Sequence, residues 1–301
     1  MAEVGPMLAG RLTKVIHKTP YPAVSPTRPE VSQAGKTVLV TGGSGVIGSH
    51  IASAFAEAGA STFILVGRRE AVVASAAAAL VDKFSDKKVR AFGLSCDVTR
   101  PDDVNLLWKK LAQDGVLVDV LVLTAGKWTG GPLLDIGTDA VWEDMTVNSY
   151  GNMNFTEKFY KQPGRDPKTQ LTLLNVATSE IYDFGPYNKW PLYSLSKNSG
   201  ALLLQLIARD VLPEDMQVVS FHPGLIFSDF VRDIGLKENE QDWDSPVLAG
   251  NFAVWAASPE AKFLHGRFAW AGWDLDELRS GSIRERIYKD PKFLTIGVHG
   301  L

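Results

Sequence analysis

Tyr193 and Lys197 stand four residues apart in the run Tyr193-Ser194-Leu195-Ser196-Lys197. On a helix, positions i and i+4 share a face, so phenol and ammonium can serve one site. A free tyrosine titrates near pH ~10, too high for efficient proton transfer at neutral pH. A neighbouring ammonium favours the phenolate and lowers that value. Such a pair moves a proton onto or off an oxygen while a hydride moves at the adjoining carbon. Tyr288 and Lys292 repeat the spacing, but Pro291 between them opposes a helix, which marks that pair as a decoy. Ahead of Tyr193, Asn175-Val176-Ala177-Thr178-Ser179 reads as a strand end. A hydroxyl there would hold a substrate oxygen beside the phenol in an oxyanion-hole-like role. Thr178 and Ser179 both qualify, although each alone reads as a strand-end cap. Asn148, on an earlier helical segment, has an amide that would order a water leading from Lys197 to solvent; taken alone it reads as structural.

These residues need a frame. Thr37–Val40 is short, apolar and β-branched and ends at a glycine cluster, which predicts a buried strand and a turn. Ile47, Ile51, Phe55 and Ala58 then recur at helical spacing up to Gly59. Further strands are predicted at Thr62–Val66, Val89–Leu94, Val118–Leu123, Gln170–Val176 and Gln217–Phe221. Helices are predicted at Glu70–Phe84, Asp102–Gln113 and Ser194–Asp210. Apolar strands alternating with helices mean a parallel sheet covered on both faces, a doubly wound (Rossmann) α/β fold. Ligands are then expected at the carboxyl ends of the strands.

The turn after the first strand reads Thr41-Gly42-Gly43-Ser44-Gly45-Val46-Ile47-Gly48. Gly42, Gly45 and Gly48 fall where a side chain would hinder a tight turn, a pyrophosphate or helix–strand packing. The following helix start presents free N–H groups to phosphate. With a strand before it and a helix after it, this segment predicts a dinucleotide site. At the end of the second strand, NAD sites place an acid near the ribose 2′-hydroxyl. Here Gly67 is followed by Arg68 and Arg69, which fit a 2′-phosphate by charge and by bidentate geometry, so NADP(H) is the expected cofactor.

Composition removes other classes. The 301 residues are 45% hydrophobic and 22% charged, with a formal net charge of −3, so no basic excess points to nucleic acid or an acidic membrane surface. Cys96 is the only cysteine, which excludes an intrachain disulfide and a cysteine-built metal site; no metal is expected. A reducing, cytoplasmic setting is the default. Pro6, Pro20, Pro22, Pro26 and Pro29 crowd residues 1–34, which read as an extended arm lying on a surface. Residues 35–301 read as one dinucleotide-binding domain.

Together these motifs resemble the short-chain dehydrogenase/reductase family in its single-domain form, over roughly residues 35–275. The resemblance rests on Thr41–Gly48, Asp97-Val98, Thr124-Ala125-Gly126, Asn148, Thr178/Ser179, Tyr193 with Lys197, and Pro223-Gly224. It implies that Tyr193 is proton donor or acceptor, that Lys197 lowers its pKa and binds the nicotinamide ribose, and that Asn148 completes a proton relay. It puts Asp97 and Val98 by the adenine and Pro223, Gly224 and Ile226 by the nicotinamide. Ser228 stands where a Thr often holds the carboxamide. It also implies a substrate loop at about 225–250 and a homodimer or homotetramer. Counting from Asn175 selects Thr178 as the substrate hydroxyl; counting back from Tyr193 selects Ser179, the residue slightly preferred. Two departures are visible. The spacing T-G-x-x-G-x-x-G is typical of longer, two-domain members, and Leu123-Thr124-Ala125-Gly126 replaces Asn-Asn-Ala-Gly. The arm around Ser25–Glu30 is similar to fungal members that make or modify secondary metabolites.

Eight tryptophans are many for this length. Trp128, Tyr187, Trp190, Phe227 and Trp243 fall on strand-end loops and are candidates for a pocket that takes a bulky apolar or aromatic carbonyl or alcohol, though each alone reads equally well as core or subunit contact. Trp108 and Trp142 read as helix packing, and Trp255, Trp270 and Trp273 as structural. The expected activity is ketone or aldehyde to alcohol interconversion. A dehydratase, epimerase or cyclase using the same tyrosine, and a non-catalytic NADP-binding regulator, are the alternatives.

Overall fold

In a computed structural model, residues 12–184, 190–233 and 235–298 are described. The first half runs β1 (Thr37–Thr41), α1 (Val46–Glu57), β2 (Thr62–Gly67), α2 (Glu70–Lys83), β3 (Arg90–Ser95), α3 (Pro101–Gln113) and β4 (Val120–Leu123). Next come α4 (Leu133–Met145), a π-helical turn at Thr146–Tyr150, α5 (Gly151–Tyr160), β5 (Leu171–Val176), α6 (Pro191–Asp210) and β6 (Met216–His222). The chain closes with α7 (Asp229–Asp233), α8 (Pro246–Ala256), β7 (Arg267–Trp270), α9 (Leu275–Arg279) and α10 (Gly281–Lys289).

The seven strands pair in parallel in the order β3-β2-β1-β4-β5-β6-β7. Alternate strand residues feed two apolar layers. Val38, Val40, Phe63 and Val122 pack on the face of α1 and α8, with Ile51, Phe55, Phe252 and Trp255. Leu39, Ile64, Leu121 and Leu173 pack on the other, with Trp108 of α3 and Phe155 and Phe159 of α5. The doubly wound fold is as expected. Strand order reverses between β1 and β4, so the ligand crevice of such a sheet lies at their carboxyl ends.

Several details differ from the sequence reading. β3 is not covered on both faces: it is an edge strand, and Phe92 is 46% exposed. α8 has no apolar stripe because it is buried all round, from Leu248 to Ala256. It takes the last residues of the anticipated substrate loop, which therefore spans 225–245. β7 is four residues long and carries no periodic signal. Trp142 is 63% exposed rather than packed. Tyr288 is 85% exposed at the end of α10, and Lys292 lies beyond the helix, as expected of a decoy.

The described part of the arm, residues 12–34, is not an extended strap. Pro22–Val24 and Pro29–Val31 form 3-10 turns whose Val24 and Val31 are buried in the core. Ile16 bridges Trp273, and the Tyr21 hydroxyl donates to the Trp273 carbonyl at 2.9 Å. Arg28 forks onto Glu260, which also accepts from Arg279 at 2.7 Å and Trp255 Nε1 at 3.0 Å. Burial alone would lift the Glu260 pKa, but the two guanidiniums outweigh it and hold the carboxyl below its usual range. Its contribution is therefore present at neutral pH and lost as pH falls through that lowered value. Glu260→Ala strands two partly buried guanidiniums and should cost about 3 kcal/mol. A melting temperature at pH 7 within a degree of wild type would refute this.

Candidate active site

The glycine turn is dictated by contact. Gly42 has φ +65°, and a Cβ there would lie 2.8 Å from Thr124 Oγ1. A Cβ on Gly48 would lie 2.5 Å from the Gly42 carbonyl oxygen, so glycine alone lets α1 start against the turn. A Cβ at Gly45 would also sit tightly, 3.3 Å from the Gly42 carbonyl oxygen. No side chain caps α1, so the N–H groups of Val46, Ile47 and Gly48 point out of an uncapped helix start. Ser44 sits in the same turn, beside Gly67. This arrangement fits a pyrophosphate.

Thr124 replaces the support the family draws from asparagine. Its hydroxyl donates to the Thr41 carbonyl, while Thr41 Oγ1 accepts from Thr124 N at 3.2 Å and Ala125 N at 3.3 Å. Gly126 follows, with Asn148 Oδ1 close to its open face. Asp97 Oδ1 accepts from Thr99 N and Oγ1, forming a tight turn beside Val98, which packs on Gly151. Arg68 and Arg69 are exposed at the end of β2 and form no ion pair among the described residues.

Tyr193 and Lys197 lie on α6, as their spacing requires; Lys197 is buried and Tyr193 half-buried. The Thr178 hydroxyl is hydrogen-bonded to the Tyr193 side chain. Ser179 opens a buried 3-10 turn, Ser179–Ile181. Of the two hydroxyls left open by counting, Thr178 thus has a hydrogen bond to the phenol. Burial pushes the Tyr193 phenol above its ordinary value; the nearby Glu180 carboxylate adds to this and the Thr178 hydroxyl opposes it. Burial also pushes Lys197 down to about 8, and its Nζ donates to the Val176 carbonyl at 2.7 Å. The protein alone thus does not show the depressed tyrosine that the pairing suggests, because desolvation works against charge on both partners.

Asn148 sits in the π-helical turn, a local feature that often marks functional sites. Its amide is engaged by protein groups. Nδ2 donates to the Lys127 carbonyl at 2.7 Å and Ser196 Oγ at 2.8 Å, and Oδ1 accepts from Lys127 N at 3.0 Å. Asn148 therefore welds the loop after β4 to the helix carrying Tyr193 and Lys197.

Gly224, at φ +102°, follows Pro223, and Asp244 fills the space where its Cβ would lie. Asp244 Oδ2 accepts from Leu225 N at 2.6 Å, and Asp244 N donates to the Leu225 carbonyl at 2.8 Å, closing the base of the loop. Ile226 is buried, and Ser228 Oγ accepts from Val231 N as α7 begins. Trp128 meets Trp190 edge-on at 4.9 Å, and Phe227 meets Trp243 at 5.4 Å. Tyr187 lies outside the described residues. His222, just before Pro223, is held neutral by burial with its pKa near 3. Its ring nitrogens have no partner among the described residues, and it packs edge-on to Trp270 at 4.4 Å. Sequence reasoning missed Glu180, Asp244 and Asp144, which stand in no recognisable motif, and Ser196, which lies within the Tyr193–Lys197 run but was given no role.

Residues 36–239 match the short chain dehydrogenase family. A protein named "Short chain dehydrogenase/reductase" from Claviceps purpurea (strain 20.1) is 33% identical, over 96% of this chain and 94% of its own length. Short chain dehydrogenase/reductase nsrO of Aspergillus novofumigatus (strain IBT 16806) is also 33% identical, over 96% and 97%. Among solved structures, the Pseudomonas aeruginosa RhlG/NADP active-site complex is similar with TM-score 0.71 and 22% identity, covering 81% of this chain and 97% of that one. A 7α-hydroxysteroid dehydrogenase complexed with NADH gives TM-score 0.69 at 22% identity, covering 84% and 97%. The chain belongs to the short-chain dehydrogenase/reductase family, a family of oxidoreductases. Among the described residues, no helix is long and apolar enough to cross a membrane.

The depressed Lys197 has a measurable consequence. Between about 8 and the free value of ~10.4, the unfolded chain binds a proton that the folded chain lacks, so stability should rise with pH across that window. Lys197→Met removes this rise. The difference in urea-unfolding free energy between the cofactor-free proteins should change by on the order of 3 kcal/mol between pH 7 and pH ~10.5. A flat difference would show that Lys197 is not desolvated.

Proposed function

We propose that this protein is an NADP(H)-dependent reductase that interconverts a ketone or aldehyde and an alcohol on a bulky apolar or aromatic small molecule, within fungal secondary metabolism. The observation that carries this is the hydrogen bond between the Thr178 and Tyr193 hydroxyls, with Tyr193 on the same face of α6 as Lys197. A bound nicotinamide supplies or accepts the hydride at its C4. Tyr193 gives its proton to the substrate oxygen in reduction and takes it back in oxidation. Thr178 holds that oxygen, and we assign it the role in preference to Ser179. Lys197 binds the cofactor ribose, and in that setting its ammonium favours the phenolate that Tyr193 becomes. Tyr193, its pKa raised by burial, enters the cycle protonated, and the bound cofactor and Lys197 must lower that value for the proton to pass.

Thr41–Gly48 would hold the pyrophosphate, Asp97 and Val98 the adenine side, Thr124–Gly126 the floor, and Pro223, Gly224, Ile226 and Ser228 the nicotinamide end. The choice of NADP(H) rests on Arg68 and Arg69, since solved structures of this fold carry either cofactor. A homodimer or homotetramer belongs to this reading, and exposed Leu134, Trp142, Tyr150 and Met153 offer it an apolar surface.

Tyr193→Phe should lose nearly all turnover of an aryl ketone, by a factor of about a thousand or more, while still quenching on NADPH titration. Full activity in that variant would overturn the assignment. Arg68→Asp combined with Arg69→Ser should move the NADPH/NADH ratio of kcat/KM toward NADH by about a hundredfold, as expected for loss of charge-assisted contacts to a phosphate. An unchanged ratio would mean that the 2′-phosphate is bound elsewhere.

A further inference from the structure

Asp144, on the last turn of α4, has no exposed side-chain surface. Burying a carboxylate costs free energy unless charge and hydrogen bonds compensate it, and even a well-made buried pair adds little net stability. What this one secures is geometry. Its Oδ1 accepts from Thr129 Oγ1 at 2.9 Å and pairs with Lys127 Nζ at 3.3 Å. Those are the residues immediately before and after Trp128. Four residues on, Asn148 grips the Lys127 backbone at both its N–H and its carbonyl. The segment 127–129 is therefore held by two side chains, one π-helical turn apart, and Trp128 is the residue between the anchors.

Trp128 is directed at Trp190, which immediately precedes α6 and lies three residues before Tyr193. Gly130 allows this contact: a Cβ there would lie 3.1 Å from the Trp128 ring and 3.4 Å from the Trp190 ring. We propose that Asp144 is a positioning residue for substrate specificity, holding the Trp128 indole against Trp190 as a fixed wall that takes the flat ring of an aromatic ketone. A rigid indole loses little entropy when such a ring packs on it, whereas a loose one must be ordered by the substrate. This proposal rests on the substrate class proposed above.

The test compares Asp144→Ala, Thr129→Val and Trp128→Phe with wild type. Coupled indoles give an exciton couplet in far-ultraviolet circular dichroism, and Trp128→Phe identifies the part due to this pair. Asp144→Ala should lose the same part, and Thr129→Val, which removes one uncharged contact, should reduce it. With an aryl ketone such as 1-tetralone and NADPH, Asp144→Ala should raise KM by about tenfold. It should leave NADPH affinity, kcat and the KM of a small aliphatic ketone within about twofold of wild type. If both variants keep the couplet that Trp128→Phe loses, or if Trp128→Phe loses none, the proposal is overturned. It is equally overturned if kcat and NADPH affinity fall along with KM, since that marks general loosening. Should Asp144→Ala not fold, Thr129→Val decides alone. The couplet needs no turnover, so absence of ketone reduction in wild type would defeat the proposed function without deciding the role of Asp144.

Discussion

Where β1 lies beside β4 the strand order reverses; α1 packs on one face of the sheet and α5 on the other, and the ligand crevice of such a sheet opens at the strand ends between them. The crevice stays in shape because Thr41 ties the two strand ends together. Its hydroxyl accepts two backbone N–H groups from the β4 loop, and its carbonyl accepts the Thr124 hydroxyl. The glycine turn is then stacked on this join so tightly that Gly42 and Gly48 have no room for a Cβ. Phosphate-binding N–H groups and the floor beneath them are thus one packed unit. Thr124, where the family's motif has an asparagine, supports the unit through its own hydroxyl, which reaches the Thr41 carbonyl.

From that unit the site extends by hydrogen bonds rather than by apolar packing. Asn148 joins the β4 loop to Ser196, which sits between Tyr193 and Lys197 in sequence. The π-helical turn makes this possible, since it brings Asn148 to face the loop and Asn152 to cap the Asn148 carbonyl at 2.8 Å. Rigidity has an electrostatic consequence. Burial disfavours charge on both Tyr193 and Lys197, although Lys197, at about 8, keeps its ammonium at neutral pH. Desolvation and pairing are opposed here, and in the protein by itself desolvation wins.

Motifs legible in the sequence were those in which a backbone constraint dictates residue type. The strand–glycine–helix segment, the apolar alternation of strands with helices and the four-residue spacing of Tyr193 and Lys197 all survive as read. α8 was invisible because a helix buried on every side has no stripe, and β7 because four residues carry no period. Site residues that act across long sequence distances were also invisible. Asp244 reaches back nineteen positions to Leu225, and Asp144 reaches fifteen to Thr129. Counting could not choose between Thr178 and Ser179, because counts from Asn175 and from Tyr193 disagree across Glu180–Leu192; the Thr178–Tyr193 hydrogen bond is what speaks for Thr178.

The arm shows how a segment outside the family's motifs enters the same machinery. Its residue Lys18 accepts Ser245 N on its carbonyl at 2.7 Å and extends its ammonium to Asp242 at 2.9 Å. Ser245 adjoins Asp244, the side chain that closes the loop over Leu225 and fills the space beside Gly224. On its other side the arm is pinned by Tyr21 to Trp273 and by His17 to Asp274. The Pro-Gly turn at the end of β6 is therefore braced through Asp244 and Ser245 to the arm, and through the arm to the start of α9. Because proline turns hold residues 22–31 with little freedom left to lose, this brace is stiff at low entropic cost. An extended arm draped on the surface, as its composition alone suggests, would transmit no such restraint.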